Sequence, residues 1–170
     1  MLIIREAEQE DAAPILNYLK QIADETDYLT FSGAEFNKTL EEEKAILLRH
    51  KEAENQIFLV AELDGVIVGI LNVNATPKKR LRHVGEFGMS VAKAHWSKGV
   101  GATLMKFMIN WAKHNAIIKK INLRVHENNT PAIKLYEKMG FEYEGRLRMD
   151  FFLNGKYSDA LLMGLIIEEL

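Results

Sequence analysis

The chain has 170 residues, 22 Lys+Arg against 24 Asp+Glu, 48% hydrophobic residues and no cysteine. That length suits one domain, 1–170, with a full-sized core, and the formal charge of −2 gives no sequence-wide reason to bind nucleic acid or an anionic membrane. Without cysteine there is no disulfide framework, no thiolate zinc site and no cysteinyl acyl intermediate. The longest apolar-plus-glycine run, Ala160–Ile167, falls far short of the ~20 residues that cross a bilayer. The opening Met1-Leu2-Ile3-Ile4-Arg5-Glu6 lacks the basic lead of a secretory signal. A soluble cytoplasmic globular domain is the expectation.

Residues 2–6 read as a strand. From Asp11 to about Ala23, Ile15, Leu16, Leu19, Ile22 and Ala23 recur at helical spacing. A second helix is expected from Ser32 to about His50, because Ser32 and Glu35 form an S-x-x-E capping box and Phe31 and Phe36 stand at staple positions. Residues 56–63 and 66–74 form a hairpin around Asp64-Gly65. The polar stretch Pro77–Arg82 is a loop, followed by a strand at about 84–91. A helix from about 100 to 114 carries Val100, Leu104, Phe107, Met108 and Trp111 on one side. After a strand at 119–126, a helix at about 131–139 has Thr130 as N-cap, Pro131 at its first position and Gly140 as its stop. Strands at 142–153 and 156–167 are joined by Asn154-Gly155. The order β-α-α-β-β-β-α-β-α-β-β implies an α+β fold: a mixed, mostly antiparallel sheet in a three-layer arrangement, with helices on both faces.

Two segments carry chemistry. In the first, Ser90 to Leu104, a strand passes through a turn with Gly99 and Gly101 straight into a helix. Unpaired N–H groups and the positive end of the helix dipole then converge, a phosphate cradle. Neither a Walker loop nor a dinucleotide fingerprint fits, since no G-K-[ST] follows and Leu104 stands where a third glycine is needed. On its own, a G-x-G before a helix is equally a tight connection. In the second segment, Asn129 to Phe141, Asn129 precedes a short helix, Tyr136 lies on it and Gly140-Phe141 closes it.

Together the two resemble the signature motifs of the GCN5-related N-acetyltransferase (GNAT) superfamily: Q/R-x-x-G-x-G/A for the first and N-x-x-A-x-x-L-Y-x-x-x-G-F for the second. The similarity covers nearly the whole chain, and Trp96 departs from the Gln or Arg of the first motif. The tail, Glu144 to Arg148 and Gly155 to Met163, resembles the ribosomal-protein and polyamine acetyltransferase branch.

The resemblance implies an acyl-CoA N-acyltransferase fold, with acetyl-CoA as acyl donor, no metal, and a cofactor cleft where the strands ending at Val91 and near Val125 splay apart. Backbone groups of Met89, Ser90 and Val91 would hold the pantetheine arm. Amides of Ser97, Lys98, Gly99, Val100, Gly101 and Ala102 would hold the diphosphate. Asn129 would touch the cofactor and Tyr136 would sit by the thioester sulfur. A homodimer is expected by the same analogy. A non-catalytic acyl-CoA-binding module on the same fold is the alternative.

Acetyl transfer needs a neutral amine, and at pKa ~10.4 only about 4 in 10⁴ molecules are neutral at pH 7, a handicap of roughly 4–5 kcal/mol. Glu86, on the same strand side as Gly88 and Ser90, is the candidate base, though it equally reads as a solvated strand residue. Tyr136 is the candidate acid for the leaving thiolate. By spacing alone, beside Ala132, Leu135 and Met139, it reads as core; the motif reverses that. For the acceptor, a small amine or a protein amino group, Glu25, Asp27 and Tyr28 follow the first helix at its C-terminal end, where the dipole disfavours acids. That segment reads equally well as a solvated loop. The basic loop Lys78-Lys79-Arg80-x-Arg82 is a surface feature that could meet the cofactor's 3′-phosphate.

Overall fold

The computed structural model describes residues 1–168. Its elements are β1 (Leu2–Glu6), α1 (Ala12–Ile22), α2 (Leu40–Glu52), β2 (Ile57–Leu63), β3 (Val66–Ala75), β4 (Val84–Val91), α3 (Val100–His114), β5 (Lys120–His126), α4 (Thr130–Lys138), β6 (Glu142–Leu153) and β7 (Lys156–Ile166). The strands make one seven-stranded sheet in the order β1-β2-β3-β4-β5-β7-β6. Every pairing is antiparallel except β4 with β5. Both predicted hairpins turn through two left-handed residues, Asp64-Gly65 and Asn154-Gly155, as their Asp-Gly and Asn-Gly sequences demand.

Strand alternation divides the core. Leu59, Leu71, Val73 and Phe87 face α3 and α4, packing on Leu104, Met105, Met108 and Ile133. Phe58, Val60 and Ile67 face the other way, against Ile15, Tyr18, Leu19 and Leu47 of α1 and α2. A sheet covered on both sides explains why β2 is apolar at successive positions instead of alternating.

The second helix corrects the sequence reading. Only half of the Ser32–Glu35 box forms: the Ser32 amide donates to the Glu35 carboxylate at 2.9 Å, but the Ser32 hydroxyl donates to the same carboxylate instead of accepting from the Glu35 amide. With the Phe31 and Phe36 rings 5.6 Å apart, the segment closes a single turn. The helix starts at Leu40, under a second box in which Thr39 accepts from the Glu42 amide and Glu42 accepts from the Thr39 amide. Three acids, Glu41 to Glu43, fill its first turn and favour that start through the helix dipole.

The parallel ladder between β4 and β5 is short: Val84, Gly85 and Glu86 pair with Lys120, Ile121 and Asn122. Beyond it β4 stays with β3 as far as Val91, and β5 stays with β7 as far as His126, but the two strands no longer pair with each other. The sheet therefore forks, and the facing edges of Phe87–Val91 and Leu123–His126 are left without a strand partner.

Candidate active site

A cavity of about 800 Å³ occupies the fork and reaches both faces of the sheet. Phe87, Met89 and Tyr136 line it from the α3/α4 side; Glu86, Gly88 and Ser90 line it from the α1/α2 side. Glu86 is the last paired residue of β4 at the fork, opposite Asn122 on β5 and Asn74 on β3. It is exposed to the cavity. Ser90 is held by the Tyr18 hydroxyl at 3.0 Å, which fixes α1 against the open edge of β4. Burial pushes the Tyr18 phenol well above its usual range, so it stays protonated and this bond persists.

Tyr136 is buried, and its ring meets Phe87 edge-on at 5.6 Å. Burial pushes its pKa up to about 12, so the phenol keeps its proton at any physiological pH. The motif resemblance pointed to a catalytic position and the spacing pointed to the core. The side chain is packed into the core and also lines the cavity. The C-terminus of α4 fixes it: Gly140 takes a φ of 95°, and the Phe141 amide returns to the Tyr136 carbonyl at 3.0 Å. Asn129 precedes α4 without capping it by its side chain, and lines the same cavity.

At the end of β4 the chain bends into α3. Ser97 and Gly99 both have left-handed backbone, with φ of 59° and 82°, and no side chain caps the helix. The amides from Ser97 through Ala102 donate no hydrogen bond of normal geometry to the described residues. A run of unpaired donors at the positive end of a 15-residue helix suits an anionic diphosphate.

The two glycines do different work. A Cβ on Gly99 would meet nothing within 4 Å, so the left-handed turn alone selects glycine there. A Cβ on Gly101 would lie 3.3 Å from Met89 and 3.4 Å from Leu135, so that glycine lets α3 pack close to β4 and α4. Trp96, the departure from the first motif, closes the bend: its indole N–H donates to the Val91 carbonyl at 2.7 Å.

The acidic segment after α1 does not act as a unit. Glu25 accepts from the Lys93 amide at 2.7 Å and Asp24 from the Gly33 amide at 3.0 Å. Asp27 lines a separate, smaller cavity with Arg124 and Asp150. Tyr28 lines the main cavity, with its hydroxyl donating to the Asn128 carbonyl at 3.1 Å and its ring 5.2 Å from His126. The basic loop Lys78–Arg82 lies at the opposite end of β4 from the cradle, across eight residues or roughly 25 Å of strand. A 3′-phosphate next to a diphosphate on the cradle would lie out of its reach.

Sequence reading missed the α2 wall. Glu43, Ile46, Arg49 and His50 line the cavity, with Asn72 and Asn74 of β3 beside them. Glu43 is 1% exposed and paired with Lys38 at 3.0 Å. His50 Nδ1–H donates to the Ile46 carbonyl, 2.8 Å away, and burial lowers its pKa. The signal was present: Glu43 and His50 share the helical stripe of Ile46 and Leu47, and a charged residue inside an apolar stripe marks a polar interior.

Comparison with known proteins agrees with this geometry. The model described as "Acetyltransferase (GNAT) family" matches residues 17–141. The L-amino acid N-acetyltransferase AaaT of Escherichia coli (strain K12) is 39% identical over 105 residues, 62% of this chain and 65% of its own length. The chain thus spans slightly less than two thirds of that relative. The spermidine N(1)-acetyltransferase of the same organism is 26% identical over 163 residues, covering 94% of this chain and 83% of its own. Among solved structures, an acetyltransferase of the GNAT family from Streptococcus pneumoniae superposes with a TM-score of 0.96 at 36% identity, covering 99% of this chain and all of its own.

Proposed function

The chain belongs to the acetyltransferase (GNAT) family, and on that footing we propose that it is an acetyl-CoA-dependent N-acetyltransferase, which passes acetyl directly to a primary amine of a small molecule or protein. The observation that carries this reading is the fork between β4 and β5, with Glu86 on one face, Tyr136 on the other and a run of unpaired amides at its mouth. Relatives named for L-amino acid and spermidine acetylation support a small amine as acceptor. We place the activity in one domain over residues 1–170, in the cytoplasm, and expect a homodimer.

Acetyl-CoA would supply an acyl group activated on sulfur. The protein's own residues do the rest. Amides of Ser97 to Ala102 hold the diphosphate, and the open edge at Met89 to Val91 holds the arm in the place of a strand. Asn129 lies beyond the open end of β5 and adds a polar contact. The Tyr136 phenol, neutral at physiological pH and kept so further into alkali by its burial, holds a donor hydrogen beside the place where thiolate charge develops. Glu86 faces the acceptor side and takes the proton of the incoming ammonium, offsetting the handicap of an amine that is mostly charged at neutral pH. With no cysteine in the chain, no thiol is present to relay the acyl group.

The test is free-thiol release from acetyl-CoA across a panel of amines: amino acids, polyamines, aminoglycosides and peptide N-termini. Turnover with one class and none without amine is the expected result. Tight acetyl-CoA binding with no turnover on any class would replace the enzyme by a non-catalytic acyl-CoA-binding module.

A further inference from the structure

The acceptor end of the cavity has a charge pattern that narrows the substrate class. Six charged side chains line it: Glu35, Lys38, Glu43, Arg49, Glu86 and Arg124. Four already have partners. Glu35 accepts from the amide and hydroxyl of Ser32 at 2.9 and 3.0 Å, Lys38 pairs with Glu43 at 3.0 Å, and Arg124 pairs with Asp150 at 3.3 Å. Arg49 and Glu86 are the remaining two, and neither has an ion pair among the described residues.

These two also share the wall of an adjoining cavity of about 590 Å³, with the neutral amides of Asn72 and Asn74. One uncompensated cation and one uncompensated anion therefore face a common space, and a ligand that completes both must carry both signs.

Resting on the acetyltransferase reading above, we propose that the acceptor is a small zwitterion, an α-amino acid or close amino-carboxylate, whose ammonium meets Glu86 and whose carboxylate meets Arg49. The position of each residue agrees with its part. Glu86 stands at the fork, where the acyl group must arrive. Arg49 projects from the last turn of α2, where the helix dipole favours a cation, and its planar guanidinium grips a carboxylate through two parallel hydrogen bonds. A polyamine would set a second ammonium against Arg49 and leave that residue without a counter-charge. A protein N-terminus brings no carboxylate of its own.

The experiment compares L-amino acids, the corresponding amino-acid amides, and spermidine as acceptors in the thiol-release assay. Wild type and Arg49→Gln are run side by side, with acetyl-CoA affinity measured by calorimetry. Wild-type kcat/KM for an amino acid should exceed that for its amide by at least about tenfold, the scale of one charge-assisted hydrogen bond. Arg49→Gln should erase that margin by raising KM for the acid, while kcat, the KM for the amide and acetyl-CoA affinity stay within about twofold. Arg49→Lys should restore part of the margin. Amides or spermidine used as well as amino acids by wild type would overturn the proposal and leave the enzyme reading standing. So would a margin that survives in Arg49→Gln. No turnover with any amine would overturn both.

Discussion

Tyr136 is packed in the core and, in the proposed mechanism, is also the donor to the leaving sulfur. Its ring belongs to the core with Phe87 and Phe141, and burial pushes the phenol's pKa up to about 12, so it stays protonated even in alkaline solution where an exposed phenol would not. Tyr136→Phe keeps the packing and removes the donor. It should lower turnover by at least about tenfold, within the usual range for general-acid help, and leave acetyl-CoA affinity within a few-fold. Steady-state thiol release with calorimetry checks this, and an unchanged rate would remove the donor role. Periodicity alone read this residue as core, which its burial bears out; the motif resemblance pointed to the cleft, and the residue lines the cavity there. Glu25 shows the opposite case. Its misfit at a helix C-terminus was legible, but its partner is the Lys93 amide, 68 positions away, which no local pattern encodes.

Among the elements, α2 and α3 are placed by their first turns. The Ser32–Glu35 pair, expected to start the helix, forms half a capping box and starts only a turn; the helix starts under the full box of Thr39 and Glu42, which the sequence reading missed. Thr39→Ala should therefore cost about 1 kcal/mol of stability, as loss of a helix N-cap does, and Ser32→Ala distinctly less; chemical denaturation measures both. For α3 the unsatisfied amides of the first turn are the proposed anion site. Thr103→Glu adds a carboxylate to an exposed position of the first turn, where the dipole welcomes it and a bound diphosphate does not. The variant should melt at or above the wild-type temperature yet bind acetyl-CoA at least about tenfold more weakly. Equal affinity would move the anion site away from this helix. The hairpins, the stop at Gly140 and the bend at Gly99 were legible because each needs a left-handed residue and the chain supplies Gly, Asn or Asp there. The early end of the β4–β5 ladder follows from no single window of sequence, only from the family resemblance; the charged residues in the α2 stripe mark a polar interior, but which strands it faces depends on elements distant along the chain.

At the scale of the whole molecule, β1 and α1 are tied together at the far edge of the sheet by Arg5, which bonds Asp11 at 2.7 and 2.8 Å and Glu62 at 2.9 Å. The hydrogen bond from Arg5 is the main reason the Asp11 carboxyl lies below its usual pKa. A carboxyl depressed in the folded state stabilises above its unfolded value, about 3.9, and that contribution disappears as pH falls through the lower folded value. Asp11→Asn should accordingly lower stability at neutral pH and flatten the acid limb of the stability curve below about pH 4, as thermal melts from pH 7 to pH 2 would record. The same sheet, forked at its centre, is what the functional account depends on. The most direct measurement is a crystal structure of the protein with acetyl-CoA. The diphosphate should lie on the amides of Ser97 to Ala102, the arm alongside Met89 to Val91, and the thioester between Glu86 and Tyr136. A cofactor bound outside the fork, or a thioester out of reach of the Tyr136 hydroxyl, would contradict that placement.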